Sequence, residues 1–279
     1  MANLYLCSFA SPDLKNSSIR FLDQSNKMNF YKGIKIFSWK DLSFEKKKQI
    51  QNFFKKNKRL YGYACWKPEI ILNYLNELSD GSILQYSDIG CHFNVNGLER
   101  LKDYIRMMEN NNILAFKYNE PSIKVDKKLK YQIYYENEYT KNDLFDFLNI
   151  PTNSSIKETE QIWSGTIFFK KNIETKNFLK KWIEICNQSN LIDDSPSLTK
   201  NHEKFIEHRH DQSAFSILCK LHNVICLSAS ECEWAEDENG RYWEHLKDYP
   251  ILAKRDKKFN FIKRFFLRQL KNIKRIFSK

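Results

Sequence analysis

Apolar runs of strand length alternate with runs of helical period along nearly the whole chain. Strand-like segments fall at Asn3 to Ala10, Gly33 to Ser38, Ser82 to Ser87, Ile113 to Tyr118, Gln161 to Lys170 and Val224 to Ser228. Between them lie helical patterns at Ser17 to Lys27, Asp41 to Asn57, Pro68 to Leu78, Gly97 to Glu109, Thr140 to Leu148, Glu174 to Cys186 and Asp211 to Leu221. Alternation of this kind predicts an α/β fold, a mainly parallel sheet packed between helical layers. Thr140 is the expected cap of its helix, with Asp143 three residues on. The polar run Asp194 to Glu203 reads as a mobile loop. There is no internal repeat.

Glycine decides what such a sheet can bind. The chain of 279 residues has only seven glycines, and none forms a Gly-x-Gly-x-x-Gly or Gly-x-x-x-x-Gly-Lys cluster. A dinucleotide fingerprint and a P-loop both need glycines for close backbone approach to phosphate, so the sequence argues against both. Any nucleotide must be held by side chains and helix ends. Seven cysteines, with no Cys-x-x-Cys pair, read as buried, reduced, cytosolic thiols and argue against zinc. Leu4 to Ala10 is too short, and lacks the basic leader, to be a secretory signal.

The net charge of +12 is concentrated at one end: residues 254 to 279 hold eleven Lys or Arg and one acid, leaving +2 for residues 1 to 253. The chain therefore divides into a near-neutral globular part, residues 1–252, and a basic tail, 253–279. A nucleic-acid-binding domain carries its basic face on the fold, so no nucleic acid is expected. In the tail, Phe259, Ile262, Phe266, Leu270, Ile273 and Phe277 recur at steps of three and four, with Lys263, Arg264, Arg268, Lys271, Lys274 and Arg275 between. That is an amphipathic helix too interrupted to span a bilayer but suited to lie on an anionic surface through residues 257–277. The competing reading is a helix packed on the domain with a solvated basic face.

Three polar groups interrupt the apolar pattern. The strand ending Tyr86-Ser87-Asp88-Ile89-Gly90-Cys91 places Asp88 at a strand's carboxyl end, where open α/β sheets bind ligands. Asp88 there either holds a hydroxyl or metal beside a diphosphate, or opens the turn. Trp66-Lys67-Pro68 precedes a helix whose N-terminus is an anion site, with Trp66 able to cover a ring or to pack in the core. His208-Arg209-His210-Asp211-Gln212-Ser213 opens another helix. Asp211 is a cap for that helix, or a general base. Arg209 can neutralise a diphosphate, and His208 or His210 can ligate a metal or touch phosphate. In the strand Trp163-Ser164-Gly165-Thr166, the glycine marks either close ligand approach or a bulge.

Taken in order, Gly62-Tyr63-Ala64-Cys65-Trp66-Lys67-Pro68, Tyr86-Ser87-Asp88-Ile89-Gly90-Cys91 and His210-Asp211-Gln212-Ser213 resemble bacterial glycosyltransferases of surface-polysaccharide loci, of GT-A type. Trp163-Ser164-Gly165-Thr166-Ile167-Phe168-Phe169 looks like the strand bordering the sugar site in such enzymes. The resemblance covers most of residues 1 to 250. It implies a GT-A-like, Rossmann-type fold, a nucleotide-diphospho-sugar donor, a glycan or glycolipid acceptor, and often Mn²⁺ or Mg²⁺. Asp88 matches the first acid of the family's Asp-x-Asp element, and Gly90 stands where the second belongs. Two routes to the leaving charge follow: Asp88 with His208 or His210 on a metal ion, or Lys67 and Arg209 without one. Trp66, Lys67, Asp88, Gly90, Ser164, Gly165 and Arg209 are the expected donor-binding residues. Asp211 is the expected base if transfer inverts, and Gln212 lies beneath the anomeric carbon if it retains.

The expectation is a cytoplasmic hexosyltransferase, peripheral on the inner membrane, acting on a lipid-linked acceptor in lipooligosaccharide or capsule assembly. The rival is a non-enzymatic peripheral membrane or RNA-binding protein acting through its tail. A third reading moves phosphate groups rather than sugars.

Overall fold

A computed structural model describes residues 2–122 and 128–256. The amphipathic helix expected over 257–277 lies outside the described residues. In chain order the main elements are β1 (Leu4–Phe9), α1 (Lys15–Lys27), β2 (Gly33–Phe37), α2 (Phe44–Phe54), a one-turn segment α3 (Leu60–Tyr63), α4 (Lys67–Glu77), β3 (Ile83–Ser87), β4 (His92–Phe93), α5 (Leu98–Met107) and β5 (Ile113–Lys117). They continue with α6 (Glu136–Tyr139), α7 (Asn142–Phe147), β6 (Ile162–Lys170), α8 (Ile173–Asn187), α9 (Asp211–Leu221), β7 (Ile225–Ser228), the hairpin β8 (Ala235–Asp237) and β9 (Gly240–Tyr242), and β10 (Ile251–Leu252).

Six strands form one sheet in the order β2-β1-β3-β6-β5-β7. β1 pairs in parallel with β2 and β3, and β5 with β7. β6 runs antiparallel to both β3 and β5, so the sheet is mainly parallel with one reversed strand. The expected α/β class is the observed one. Cores lie on both faces of the sheet. One gathers α2, α4, α8 and α9 around Ile70, Leu84, Phe169 and Trp182, and the other gathers α1 and α5 around Phe21, Tyr104 and Phe116. Burial on two faces explains why β3 and β6 read as nearly continuous apolar runs.

Two local expectations change. Thr140 does not cap α7; its hydroxyl donates to the buried Glu136 carboxylate at 2.6 Å, and Lys141 occupies the cap position without a side-chain bond. The 194–203 loop is tied down: the Asp143 carboxylate accepts the backbone N–H groups of Leu198 and Thr199 at 2.9 and 3.0 Å. Those bonds hold the Asp143 carboxyl below the usual aspartate range, although its partial burial acts the other way.

At the C-terminal side, β10 pairs antiparallel with the short β4, and residues 253–256 continue along the globular domain. Ala253 is 2% exposed, and the Asp256 N–H donates to the Gly90 carbonyl at 3.1 Å. These four residues, assigned to the tail from charge alone, pack as part of the fold.

Candidate active site

The carboxyl ends of β1 and β3, the approach to α4, the edge of β6 and the N-terminus of α9 surround a cavity of about 970 Å³. Its lining includes Trp66, Lys67, Asp88, Gly90, Ser164, Arg209, His210, Asp211 and Gln212. Nine of the residues singled out from sequence are thus brought together, though 145 positions separate the first from the last.

The floor is built around Lys67. Its ammonium lies 2.6 Å from Asp211 Oδ2 and 3.5 Å from Asp88 Oδ1, and donates to the Ser164 carbonyl and hydroxyl at 3.2 and 3.1 Å. Lys67 and Asp211 are almost sealed, each with 4% of its side chain exposed, while the Asp88 side chain is 46% exposed. Burial alone disfavours the lysine's charge, but the two carboxylates more than offset it and its pKa stands above the ordinary value. Burial lifts Asp211 above the usual aspartate range despite Lys67. Asp211 is therefore a buried carboxylate suited to accept a proton, and Asp88 the carboxylate that meets solvent.

Local structure explains each placement. Asp88 follows β3 directly; its N–H donates to the Gly165 carbonyl at 2.8 Å, extending the β3–β6 ladder, and its carboxylate accepts the Tyr86 hydroxyl at 2.7 Å. The buried Arg20 of α1 donates to the carbonyls of Ile89 and Cys91, clamping the turn from behind. Asp211 is the first residue of α9 but caps nothing. Its carboxylate turns away to Lys67 and to the Ser164 hydroxyl at 3.0 Å, so the capping role does not hold. Gln212 is held by its amide nitrogen, which donates to Gln161 Oε1 at 2.8 Å.

Other expectations need correction. The Trp66 ring stacks on Phe9 with centroids 4.0 Å apart, and its N–H donates to the Tyr61 carbonyl, so one face is already covered and the residue contributes wall rather than a free platform. Gly165 does not line the cavity. A Cβ there would fall 2.3 Å from the Trp163 indole, which folds back over it, so this glycine serves packing within β6. Gly90 has a different constraint: a Cβ would lie 3.0 Å from the backbone of Arg255.

The proposed metal ligands do not converge. His208 does not line the cavity; Nδ1 accepts the Lys141 N–H at 3.2 Å and Nε2 donates to the Leu191 carbonyl at 2.8 Å, leaving no lone pair for a metal. Burial drives its pKa well below the ordinary histidine value. His210 donates from Nδ1 to the Ile192 carbonyl at 2.8 Å, and burial lowers it to about 4. Among the described residues no three His, Cys, Asp or Glu side chains gather around one point, and the Lys67 ammonium already stands between the two carboxylates. These residues do not fit a divalent cation.

Sequence reasoning missed Arg59 and Arg255, both in the cavity wall. Arg59 spans the rim, bonding Asp194 at 3.0 Å and Glu207 at 2.9 Å. Arg209 lies flat, its guanidinium carbon 3.9 Å from the Tyr134 ring centre and 4.3 Å from that of Tyr139.

Fold and site together define an α/β protein with a ligand cavity at the carboxyl ends of its sheet, floored by one lysine and two carboxylates. No protein-family model matches the chain, and no curated protein matches it in sequence. Among solved structures it is similar in fold to a glycosyltransferase involved in the glycosylation of the major capsid of PBCV-1, at 11% identity and TM-score 0.48, over 91% of this chain and 97% of that one. Mouse xyloside xylosyltransferase 1 in its apo form follows at 9% identity and TM-score 0.42, over 83% and 87%. 4-Diphosphocytidyl-2C-methyl-D-erythritol synthase from Anaerococcus prevotii overlaps at 10% identity and TM-score 0.32, over 79% and 99%. Likeness at this level concerns chain path alone, and any assignment of chemistry rests on the site.

Proposed function

We propose that the chain is a GT-A-type glycosyltransferase. It moves a hexose from a nucleotide-diphospho-sugar, UDP-linked, to a lipid-linked or surface-glycan acceptor. The observation that supports this most is the ion-paired floor: Lys67 joins Asp88, at a strand end, to Asp211, at a helix start, inside a cavity whose wall carries arginines. Carboxylates near the reacting carbon accept hydroxyls from sugars, and cations opposite them take up a departing diphosphate.

In the reaction, the bond between the anomeric carbon and the diphosphate oxygen breaks, and its electron pair leaves with the diphosphate. The acceptor hydroxyl oxygen forms the new bond and loses its proton. In an inverting transfer the proton goes to Asp211, whose burial raises its pKa above the usual aspartate range. In a retaining transfer it goes to the donor's own phosphate, with Gln212 beside the anomeric carbon. NMR of the product's anomeric configuration decides between these courses. Because the residues do not fit a divalent cation, no step is routed through Mn²⁺ or Mg²⁺; side-chain cations carry the leaving charge. Residues 257–277 dock the enzyme on the anionic inner face of the cytoplasmic membrane and so raise its effective concentration near a lipid-linked acceptor.

A donor screen that follows nucleoside diphosphate release tests the reading, run with Mn²⁺ and again with EDTA. The expected result is acceptor-dependent release from one donor, unchanged by EDTA, together with thermal stabilisation by the matching nucleotide. Binding of polyanions alone, with no nucleotide-sugar turned over, would favour the tail-based rival.

A further inference from the structure

One cation in the cavity wall comes from a part of the chain that the charge pattern assigns to the tail. Arg255 lines the cavity together with Asp88 and Arg209. It is carried there by a strap, residues 253–256, fastened at several points. The Ala253 N–H donates to the Cys232 carbonyl at 2.8 Å, the Asp256 N–H to the Gly90 carbonyl, and the Ser17 hydroxyl to the Asp256 carbonyl at 2.8 Å. The Asp256 carboxylate meets His92 Nε2 at 3.2 Å. Arg255 itself is held at φ +51°, a left-handed conformation that a non-glycine residue adopts only when its surroundings impose it.

The guanidinium is anchored on one nitrogen. Nη2 meets the Glu233 carboxylate and the Tyr118 hydroxyl, the latter at 3.4 Å. Nε and Nη1 have no bonding partner among the described residues, and half of the side chain is exposed, whereas Glu233 is sealed at 2%. The same aromatic pair supports the second arginine: Tyr118 meets Tyr134 edge-on at 4.7 Å, and Arg209 lies over the outer Tyr134 ring. The Arg209 Nε is buried without a hydrogen-bond partner, 4.0 Å from the Glu207 carboxylate. Two planar guanidinium groups thus share one wall, the arrangement that recognises paired phosphate oxygens.

The strap also accounts for the glycine two residues after Asp88. A side chain at position 90 would run into the Arg255 backbone at 3.0 Å. A second carboxylate there would require the strap to give way by a few tenths of an ångström. The chain has a cation-bearing segment where an Asp-x-Asp element would present its second acid.

We infer that Arg255 and Arg209 form the diphosphate subsite of the cavity, with the strap across Gly90 setting the position of Arg255. The inference rests on the glycosyltransferase reading for the identity of the physiological ligand, but not for the anion chemistry of the wall. Inorganic pyrophosphate is the direct probe, titrated calorimetrically into the full chain at fixed salt. The basic tail is present in wild type and variants alike, so its contribution cancels in the comparison.

R255A is expected to weaken pyrophosphate binding on the order of tenfold, as for loss of a charge-assisted hydrogen bond, with the circular dichroism spectrum unchanged. R255K keeps the charge and its Glu233 partner but lacks the fork; it is expected to bind several-fold more weakly than wild type, and it remains informative if R255A does not fold. R209A should add to the R255K loss. Wild-type affinity in R255A, or in R255K where only that variant folds, overturns the subsite. Pyrophosphate binding that depends on Arg255, without transfer from any nucleotide-sugar, removes the proposed reaction and leaves the subsite. Transfer unaffected by R255A does the reverse.

Discussion

At the residue scale, the site is a shared charge. One buried ammonium serves two carboxylates, so neither acid can be changed without altering the other. D211N removes the sealed partner of Lys67 and leaves a buried cation short of compensation, a loss expected to cost about 3 kcal/mol of stability. Transfer should fall about a thousandfold if Asp211 takes the acceptor proton. D88N touches a half-exposed side chain. It should leave urea stability within about 1 kcal/mol of wild type while activity drops about a hundredfold. The D88N–D211N double-mutant cycle should be non-additive by about 1 kcal/mol, because both act through Lys67; strict additivity would show that the ion-paired floor does not work as a unit. The buried histidines give a second expectation. His208 and His210 have pKa values below the ordinary 6.5, His210 about 4, with burial the leading cause in both. As pH falls below 6.5 the unfolded chain takes up these protons first, so stability is full above that value and is lost as pH drops towards 4. Urea midpoints should therefore be lower at pH 5 than at pH 7.5, and H210Q should flatten part of that slope. An unchanged slope in H210Q would mean that this histidine is not held neutral.

At the element scale, the least expected feature is the approach to Lys67. Leu60, Tyr61, Gly62, Tyr63 and Ala64 all have positive φ, between +47° and +86°, a left-handed turn built largely from non-glycine residues. Such a conformation costs roughly 1–2 kcal/mol per ordinary residue and persists only when packing over-determines it. Here Tyr63 meets Phe53 at 4.9 Å and His210 at 4.8 Å, and Tyr61 is boxed by Phe9, Trp39 and Phe54 at 5.1 to 6.1 Å. The turn forms cavity wall through Leu60, Tyr61 and Ala64. G62A places a Cβ 2.8 Å from Ile50 Cγ1 at φ +86°, and should cost about 1–3 kcal/mol while weakening nucleotide binding; a urea titration and a thermal-shift assay with UDP check both. Nothing in residue propensity announces a left-handed run of tyrosines, because only tertiary contact creates it. By contrast β1, β3 and β6 were legible, being apolar on both faces, and the helix starting at Lys67 was marked by its proline. β4, β8, β9 and β10 span two or three residues each, too short for any period to show. Lys67, Asp88 and Asp211 stood out because charge interrupted an apolar pattern, whereas Trp66, noted as a ring beside a helix start, packs on Phe9 in the cavity wall and Gly165, noted as a glycine within a strand, serves packing.

At the scale of the whole molecule, charge is divided by sequence position, and the division point matters. Counting cations draws Arg255 into the tail, yet geometry places it in the cavity wall, which is why sequence reading missed it. Beyond Asp256, residues 257–279 carry nine Lys or Arg and no acid. None of the helices among the described residues is long and apolar enough to cross a membrane. Each tail cation near an anionic leaflet contributes on the order of 1 kcal/mol, enough in sum for salt-sensitive docking. Two truncations separate this from the cavity. A chain ending at Asp256 keeps the strap, and is expected to bind UDP and pyrophosphate like the full chain but to stay in the supernatant when anionic liposomes are sedimented. A chain ending at Leu252 removes the Arg255–Glu233 and Asp256–His92 pairs as well, and should lose both properties. The full chain should pellet with anionic vesicles, not with neutral ones, and be released as salt rises. Equal sedimentation of the full chain and the version ending at Asp256 would move the membrane contact onto the globular domain. There the exposed Phe44, Ile173 and Leu198 side chains would be the next residues to substitute.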